Sequence, residues 1–228
     1  MMYKLVILDA DGTLFNYEEA EKYALRESFK LFSFEGDILG ISNCYKEINL
    51  NLWLELEKGN ITKEKLRYER FSRLFKKYKL EYDVNKFSDQ YLLKLGESNF
   101  LIDEAEEVCK YLKNKGYKII ILTNGIKKVQ VSRLEKSNIK DYIDNMIVSE
   151  EVGANKPDPV IFDYTFNLIG HNDKNNVIMI GDSLTADIQG GINHGIDTCW
   201  VNLNKIENTT NIIPKYEIHT LGELTTIL

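Results

Sequence analysis

The chain has 228 residues, 43% hydrophobic and 28% charged, a globular balance that suits one sizeable domain or a core with a smaller insertion. That balance excludes a disordered chain. The formal net charge of -6 argues against a nucleic-acid partner, which would call for a basic stripe, but leaves room for one small anionic ligand beside a metal ion and a lysine.

Residues 3–8 (YKLVIL) form a short apolar run that stops abruptly at Asp9 and predict a buried parallel strand. The run is too short for a signal peptide or a membrane span. A turn centred on Gly12 follows. Over residues 18–99 apolar side chains recur at helical spacing, as in Tyr23, Leu25, Phe29 and Phe32 and again in Leu66, Phe71, Leu74 and Phe75. Turn signals at residues 35–37 and 59–60 interrupt the pattern, and no proline occurs there. This stretch predicts an all-helical insertion.

From residue 101 onward, strand and helix alternate. Helices are predicted over 103–115, 127–137, 159–169 and 185–194, the last ended by Gly195 as a C-cap. Strands are predicted over 117–122, 145–149, 177–180 and 198–201. The rhythm implies an α/β fold, a Rossmann-like parallel sheet core with an inserted helical domain, divided as residues 1–15 and 100–228 for the core and 16–99 for the insertion. In such sheets ligands bind at the carboxyl ends of the strands. Asp9, Thr123 and Asp182 each follow a predicted strand and are expected to converge there.

Four motifs carry chemistry. In Asp9-x-Asp11-Gly12-Thr13, a carboxylate fixed at a strand end can attack phosphorus and become an acyl phosphate. The carboxylate two residues on, Asp11, can protonate the leaving alkoxide and then deprotonate the attacking water. Gly12 lets the chain turn away tightly, bringing backbone N–H groups near the phosphate. Thr123-Asn124-Gly125 offers a hydroxyl and loop N–H groups to phosphate oxygens, although it is also ordinary turn chemistry. Lys156, in the stiff loop Lys156-Pro157-Asp158-Pro159, can neutralise the nucleophile and the phosphoryl group as a point charge. In Gly181-Asp182-Ser183-Leu184-Thr185-Ala186-Asp187, Asp182 is placed as a second carboxylate for a magnesium ion. Asp187 is placed either to hold a metal-bound water or to orient Lys156; an acid complementing the helix dipole would look the same. The all-oxygen donor set, with His171, His194 and His219 outside every motif, selects Mg2+.

Together these four motifs resemble those of haloacid dehalogenase-superfamily phosphatases, over the whole chain. The resemblance implies Asp9 as nucleophile and Asp11 as acid and base. It implies magnesium held by the Asp9 and Asp182 carboxylates and the Asp11 main-chain carbonyl, and a mobile helical cap as the insertion. A narrower resemblance runs through Asn49-Leu-Asn-Leu-Trp53, Gly59-Asn-Ile-Thr62, Arg70-Phe71, Val148-Ser-Glu-Glu-Val-Gly153, Gly190-Gly-Ile-Asn193 and Cys199-Trp200. These segments are similar to those of bacterial pyrimidine nucleoside 5'-monophosphatases.

The expected activity is therefore hydrolysis of a small phosphomonoester, a nucleoside monophosphate first, through an aspartyl-phosphate. Asn49 could hydrogen-bond a base and Trp53 could stack on it; packing of the cap core is the other reading of Trp53. Alternatives are a phosphoglycolate or sugar-phosphate phosphatase, a phosphomutase, and a non-catalytic ligand sensor on the same scaffold. A dehalogenase would not need the acid supplied by Asp11. The scattered Cys44, Cys109 and Cys199 read as reduced thiols of a cytoplasmic protein, without a membrane partner, as a monomer or homodimer.

Overall fold

The computed structural model describes residues 3–228; Met1 and Met2, which the sequence reading counts within the core, lie outside the described residues. Two compact units are formed. One takes the chain up to Tyr17 and then Asn99–Leu228, and the other is Glu18–Ser98. In chain order, strand β1 (Leu5–Leu8) is followed by helices α1 (Tyr17–Leu31), α2 (Ile38–Glu57), α3 (Lys63–Tyr78) and α4 (Val84–Glu97). Then come α5 (Ala105–Asn114), β2 (Lys118–Thr123), α6 (Lys127–Glu135), β3 (Asn145–Val148), α7 (Ser149–Val152) and α8 (Pro159–Ile169). The chain closes with β4 (Val177–Gly181), α9 (Gln189–His194), β5 (Asp197–Val201), β6 (Tyr216–Ile218) and α10 (Leu224–Ile227).

Among the described residues the strands form one six-stranded sheet in the order β3-β2-β1-β4-β5-β6, every neighbouring pair parallel. This is the Rossmann-like core expected from the sequence. Alternate residues of each strand serve opposite faces. Val6, Leu8, Ile119, Ile121, Ile178 and Ile180 pack under Val108, Cys109 and Leu112 of α5. Leu5, Ile7, Ile120, Leu122, Val177 and Met179 pack against Ile161, Phe162 and Phe166 of α8. Leu5, Val6, Ile7 and Leu8 have no exposed surface, and each buried side chain contributes about 1.5–3 kcal/mol relative to exposure. Strand order reverses around β1, and Leu8 is aligned with both Ile121 and Ile180. The ends of β1, β2 and β4 are thereby fixed side by side, at the switch point where such sheets bind ligands.

The chain leaves the core past Phe15 and returns at Phe100. There Asn16 N–H donates to Phe100 O (2.9 Å), and Ile102 N–H donates to Leu14 O (2.9 Å). Within the helical unit, side-chain caps set the starts: Asp37 accepts from Leu39 N–H (3.0 Å), Thr62 from Lys65 N–H (3.2 Å), and Asp83 from Asn85 N–H (2.9 Å). Lys79 ends α3 in the left-handed conformation, φ 54°, a break without a glycine to announce it. The interior is aromatic. Phe71 is fully buried, with ring centroids 5.0 Å from Phe87, 5.1 Å from Tyr91 and 5.4 Å from Tyr45. Among the described residues, no helix is long and apolar enough to cross a membrane.

Two local expectations are corrected, and one strand was not foreseen. Ser149 opens the short helix α7 and does not end a strand. The helix expected over 185–194 begins as a π turn, Leu184–Ile188, before α9. β6 was not expected: it has three residues, of which Glu217 is exposed, so it carries too little periodicity to read.

The aromatic packing makes a direct prediction. Phe71→Ala should destabilise the helical unit by about 3–5 kcal/mol, as for large aromatic truncations in a close-packed core. Denaturant unfolding followed by circular dichroism measures it, and a loss below about 1 kcal/mol would contradict the packing described.

Candidate active site

The site grows from the three strand ends. Asp9 follows β1 directly, and its N–H donates to Ile180 O (2.9 Å), which extends the sheet ladder by one residue and fixes the Asp9 backbone. The chain then turns: Leu14 and Phe15 N–H both donate to Ala10 O (2.9 and 2.8 Å), and Gly12 N–H donates to Phe15 O (2.9 Å). Gly12 has φ +82°, and a Cβ there would sit 2.4 Å from Asp182 Oδ2. Glycine alone lets the first motif turn this way while its backbone lies against the Asp182 carboxylate.

Thr123 ends β2, almost fully buried, and its hydroxyl oxygen accepts from Gly125 N–H (3.0 Å), leaving its own proton for an acceptor. Asn124 was expected at the phosphate. Its side-chain amide instead brackets the Lys156 backbone, donating to Lys156 O (3.0 Å) and accepting from Lys156 N–H (2.8 Å). Any phosphate contact from Asn124 is left to its main-chain N–H.

Lys156 is 1% exposed, and its ammonium has three partners: Asp9 Oδ1, Leu122 O (2.6 Å) and Asp187 Oδ1 (2.6 Å). Three donors meet three acceptors, which is how a buried lysine keeps its charge. Burial alone would push this ammonium down, but the Asp187 and Asp9 carboxylates outweigh it and hold Lys156 above its ordinary value. Asp187 sits in the π turn, itself 1% exposed, and its second oxygen accepts from Ser183 N–H (3.0 Å). A Cβ on Gly181 would fall 2.2 Å from Asp187 Oδ2, so this glycine too is required by close approach. Trp200 on β5 donates its indole N–H to Asp182 O (2.9 Å) and anchors the last motif.

Carboxylate oxygens of Asp9, Asp182 and Asp187 lie within 4.8 Å of one another. Three acids face one lysine. Burial pushes the Asp9 carboxyl up to about 7, against the pull of Lys156 and with the help of the Asp187 and Asp11 charges. Asp182 retains exposed surface but is hemmed in by protein; desolvation, then Asp9 and Asp187, raise it well above the carboxylate range. A divalent cation would relieve both, and the oxygen-only donor set fits a hard ion such as magnesium.

Two contacts were not anticipated from sequence. Gln130 donates through Nε2 to Asp11 Oδ2, and Arg133 donates through Nη1 to Asp11 Oδ1. Both come from α6, at positions three apart. On a helix such polar residues read as solvated, yet they are 1% and 0% exposed. Asn49 and Trp53, expected at the base, belong to the helical unit. Asn49 is buried, donating to Glu21 Oε1 (2.9 Å) and accepting from Arg70 Nη1 (3.5 Å). Trp53 packs half-buried against Leu52, Leu56 and Leu66.

A family model described as haloacid dehalogenase-like hydrolase matches residues 3–195. The pyrimidine 5'-nucleotidase PynA of Streptococcus pneumoniae is 36% identical over 226 residues, covering 98% of this chain and 94% of that protein. The pyrimidine 5'-nucleotidase YjjG of Escherichia coli is 32% identical over 228 residues, covering 100% and 99%. Among solved structures, the magnesium-bound HAD-hydrolase YfnB of Bacillus subtilis, which reveals interdomain movement, superposes with a TM-score of 0.94 at 36% identity, covering 100% of this chain and 99% of that one. With the family match spanning most of its length and relatives of this identity aligned end to end, the chain belongs to the haloacid dehalogenase-like hydrolases.

Proposed function

We propose that this chain is a magnesium-dependent pyrimidine nucleoside 5'-monophosphatase working through an aspartyl-phosphate on Asp9. The observation that carries the chemistry is the buried Asp9–Lys156–Asp187 array at the end of β1, with Asp182 beside it and Asp11 two residues on. The full-length similarity to PynA and YjjG supports the nucleotide as substrate.

In this reading Asp9 attacks phosphorus and the P–O bond to the leaving group breaks. Asp11 gives its proton to the departing oxygen. Asp11 then takes a proton from water as that water attacks the phosphorus of the acyl phosphate, which releases phosphate and restores Asp9. Lys156 offsets charge at the nucleophile and on the transferring group. Thr123 and the N–H groups of the Gly12 and Asn124 loops hold phosphate oxygens. Asp187 orients Lys156. Magnesium would be held by the Asp9 and Asp182 carboxylates and the Asp11 main-chain carbonyl, and when bound it supplies charge neutralisation on the phosphoryl oxygens. The core motifs recognise phosphate alone, so we assign discrimination between leaving groups to the helical unit. There Trp53 offers an aromatic face, and Asn49 holds α2 to its neighbours through Glu21 and Arg70.

The metal assignment predicts a signal independent of turnover. Magnesium should raise the thermal unfolding temperature of the wild type, because it binds the folded carboxylate cluster and not the unfolded chain. Asp182→Asn should lose most of that rise, and a chelator should abolish activity of the wild type. An equal rise in the variant, or activity indifferent to chelation, would contradict the assignment.

The substrate assignment is tested by phosphate release from deoxyuridine and thymidine monophosphates, sugar phosphates and phosphoglycolate, compared by kcat/KM. The pyrimidine nucleotides should lead by at least about tenfold, or about 1.4 kcal/mol of transition-state discrimination. A preference for phosphoglycolate or a sugar phosphate would overturn the nucleotidase reading while leaving the phosphatase chemistry standing.

A further inference from the structure

Asp11 must hold its carboxylate within hydrogen-bond reach of two different oxygens in turn, the leaving alkoxide and the attacking water. Its side chain is 25% exposed, on a turn that by itself does not fix where the carboxylate points. α6 supplies what the turn lacks. Gln130 and Arg133, on one face of that helix, each take one carboxylate oxygen, Oδ2 and Oδ1 respectively.

The two donors are themselves held. The Arg133 guanidinium lies over the Phe15 ring, 4.5 Å from its centroid, and Phe15 is fully buried and tied to the Asp11 turn through Gly12 N–H. Gln130 is pressed by the loop after β2: a Cβ on Gly125 would lie 2.1 Å from Gln130 Nε2. The amide therefore sits between the Thr123-Asn124-Gly125 loop and the Asp11 carboxylate. A planar guanidinium on an aromatic plate and an amide under a glycine loop form a rigid fork matched to a carboxylate.

We propose that Gln130 and Arg133 are positioning residues for the acid and base step, holding the Asp11 carboxylate beside the phosphate loop. The inference rests on the reading of Asp11 given above. The carboxyl group they hold changes form twice in the reaction. Asp11 loses its proton to the leaving oxygen as the acyl phosphate forms on Asp9, and regains one from water as that acyl phosphate is hydrolysed. Both carboxyl oxygens keep acceptor capacity whether or not one carries the proton, so the N–H from Gln130 and the one from Arg133 hold the group in one orientation for giving the proton to the leaving oxygen and for taking one from water. A pair serving only to neutralise a buried arginine would have no stake in the leaving group.

That difference supplies the test. The ratio kcat/KM covers the steps up to departure of the leaving group. An alkyl phosphomonoester needs a proton for its alkoxide, whereas p-nitrophenyl phosphate releases a phenolate that does not. Gln130→Met and Arg133→Met should each lower kcat/KM for the alkyl ester by about tenfold or more, and for p-nitrophenyl phosphate far less, since general acid catalysis contributes hundredfold and upward where it is needed. Arg133→Lys should recover part of the alkyl-ester rate. Where Arg133→Met fails to fold, Gln130→Met, which keeps the length of the side chain and removes only the amide, carries the test. Equal losses on both substrates, or no loss on either, would overturn the positioning role. Asp11→Asn run in parallel separates the two levels. If it lacks the leaving-group dependence, the acid and base reading fails; if it has the dependence and the α6 variants do not, only the present inference fails.

Discussion

The arrangement depends on one buried cation. Lys156 places an ammonium group among Asp9, Asp187 and the Leu122 carbonyl, with almost no exposed surface. Removing a charge from water costs several kcal/mol unless its hydrogen bonds are replaced. Here each is replaced by a group from a different part of the chain: the end of β1, the penultimate residue of β2, and the π turn after β4. The lysine is therefore the tie that brings three segments together, and in the proposed mechanism it is also the charge beside the nucleophile. Asn124, bracketing its backbone from the β2 loop, keeps that tie from swinging out.

Close approach of backbones makes the rest possible. Gly12 lies against Asp182 and Gly181 against Asp187, where any side chain would collide with a carboxylate. The result is a buried concentration of acids around one lysine: burial first, and then the neighbouring carboxylates, raise the Asp9 and Asp182 carboxyl groups. Such a cluster is suited to a divalent cation, whose charge would offset the carboxylates and leave a positive field for the anionic oxygens of a phosphate.

How much of this could be read from the sequence varies with the range of the interaction. The strands were legible because β1, β2 and β4 are apolar on both faces and stop at or just before a polar residue, Asp9, Thr123 and Asp182, and strand ends in a parallel sheet must be neighbours. Asp9, Thr123 and Asp182 came with them. The contact of Asp187 with Lys156 is visible only in the fold, because the two lie 31 residues apart in the chain. Gln130 and Arg133 were hidden for a similar reason. Their partner is more than a hundred residues away, and polar residues on a helix look solvated until the fold turns that face inward. The π turn leaves the helical composition of residues 184–188 unchanged, and β6 is too short for any period. In the helical unit the aromatic spacing told of packing, and it was the Glu21–Asn49–Arg70 contacts that drew Asn49 into that packing.

The proposed chemistry stands or falls on a covalent bond between an Asp9 carboxylate oxygen and phosphorus during turnover. An acyl phosphate differs from every resting carboxylate in being reducible by borohydride, which converts the modified aspartate to homoserine. Wild-type enzyme quenched into borohydride during steady hydrolysis, digested and sequenced by mass spectrometry, should carry homoserine at position 9. Enzyme without substrate, or with magnesium chelated, should not. Conversion at another acid, or an active enzyme that never yields it at position 9, would contradict the account.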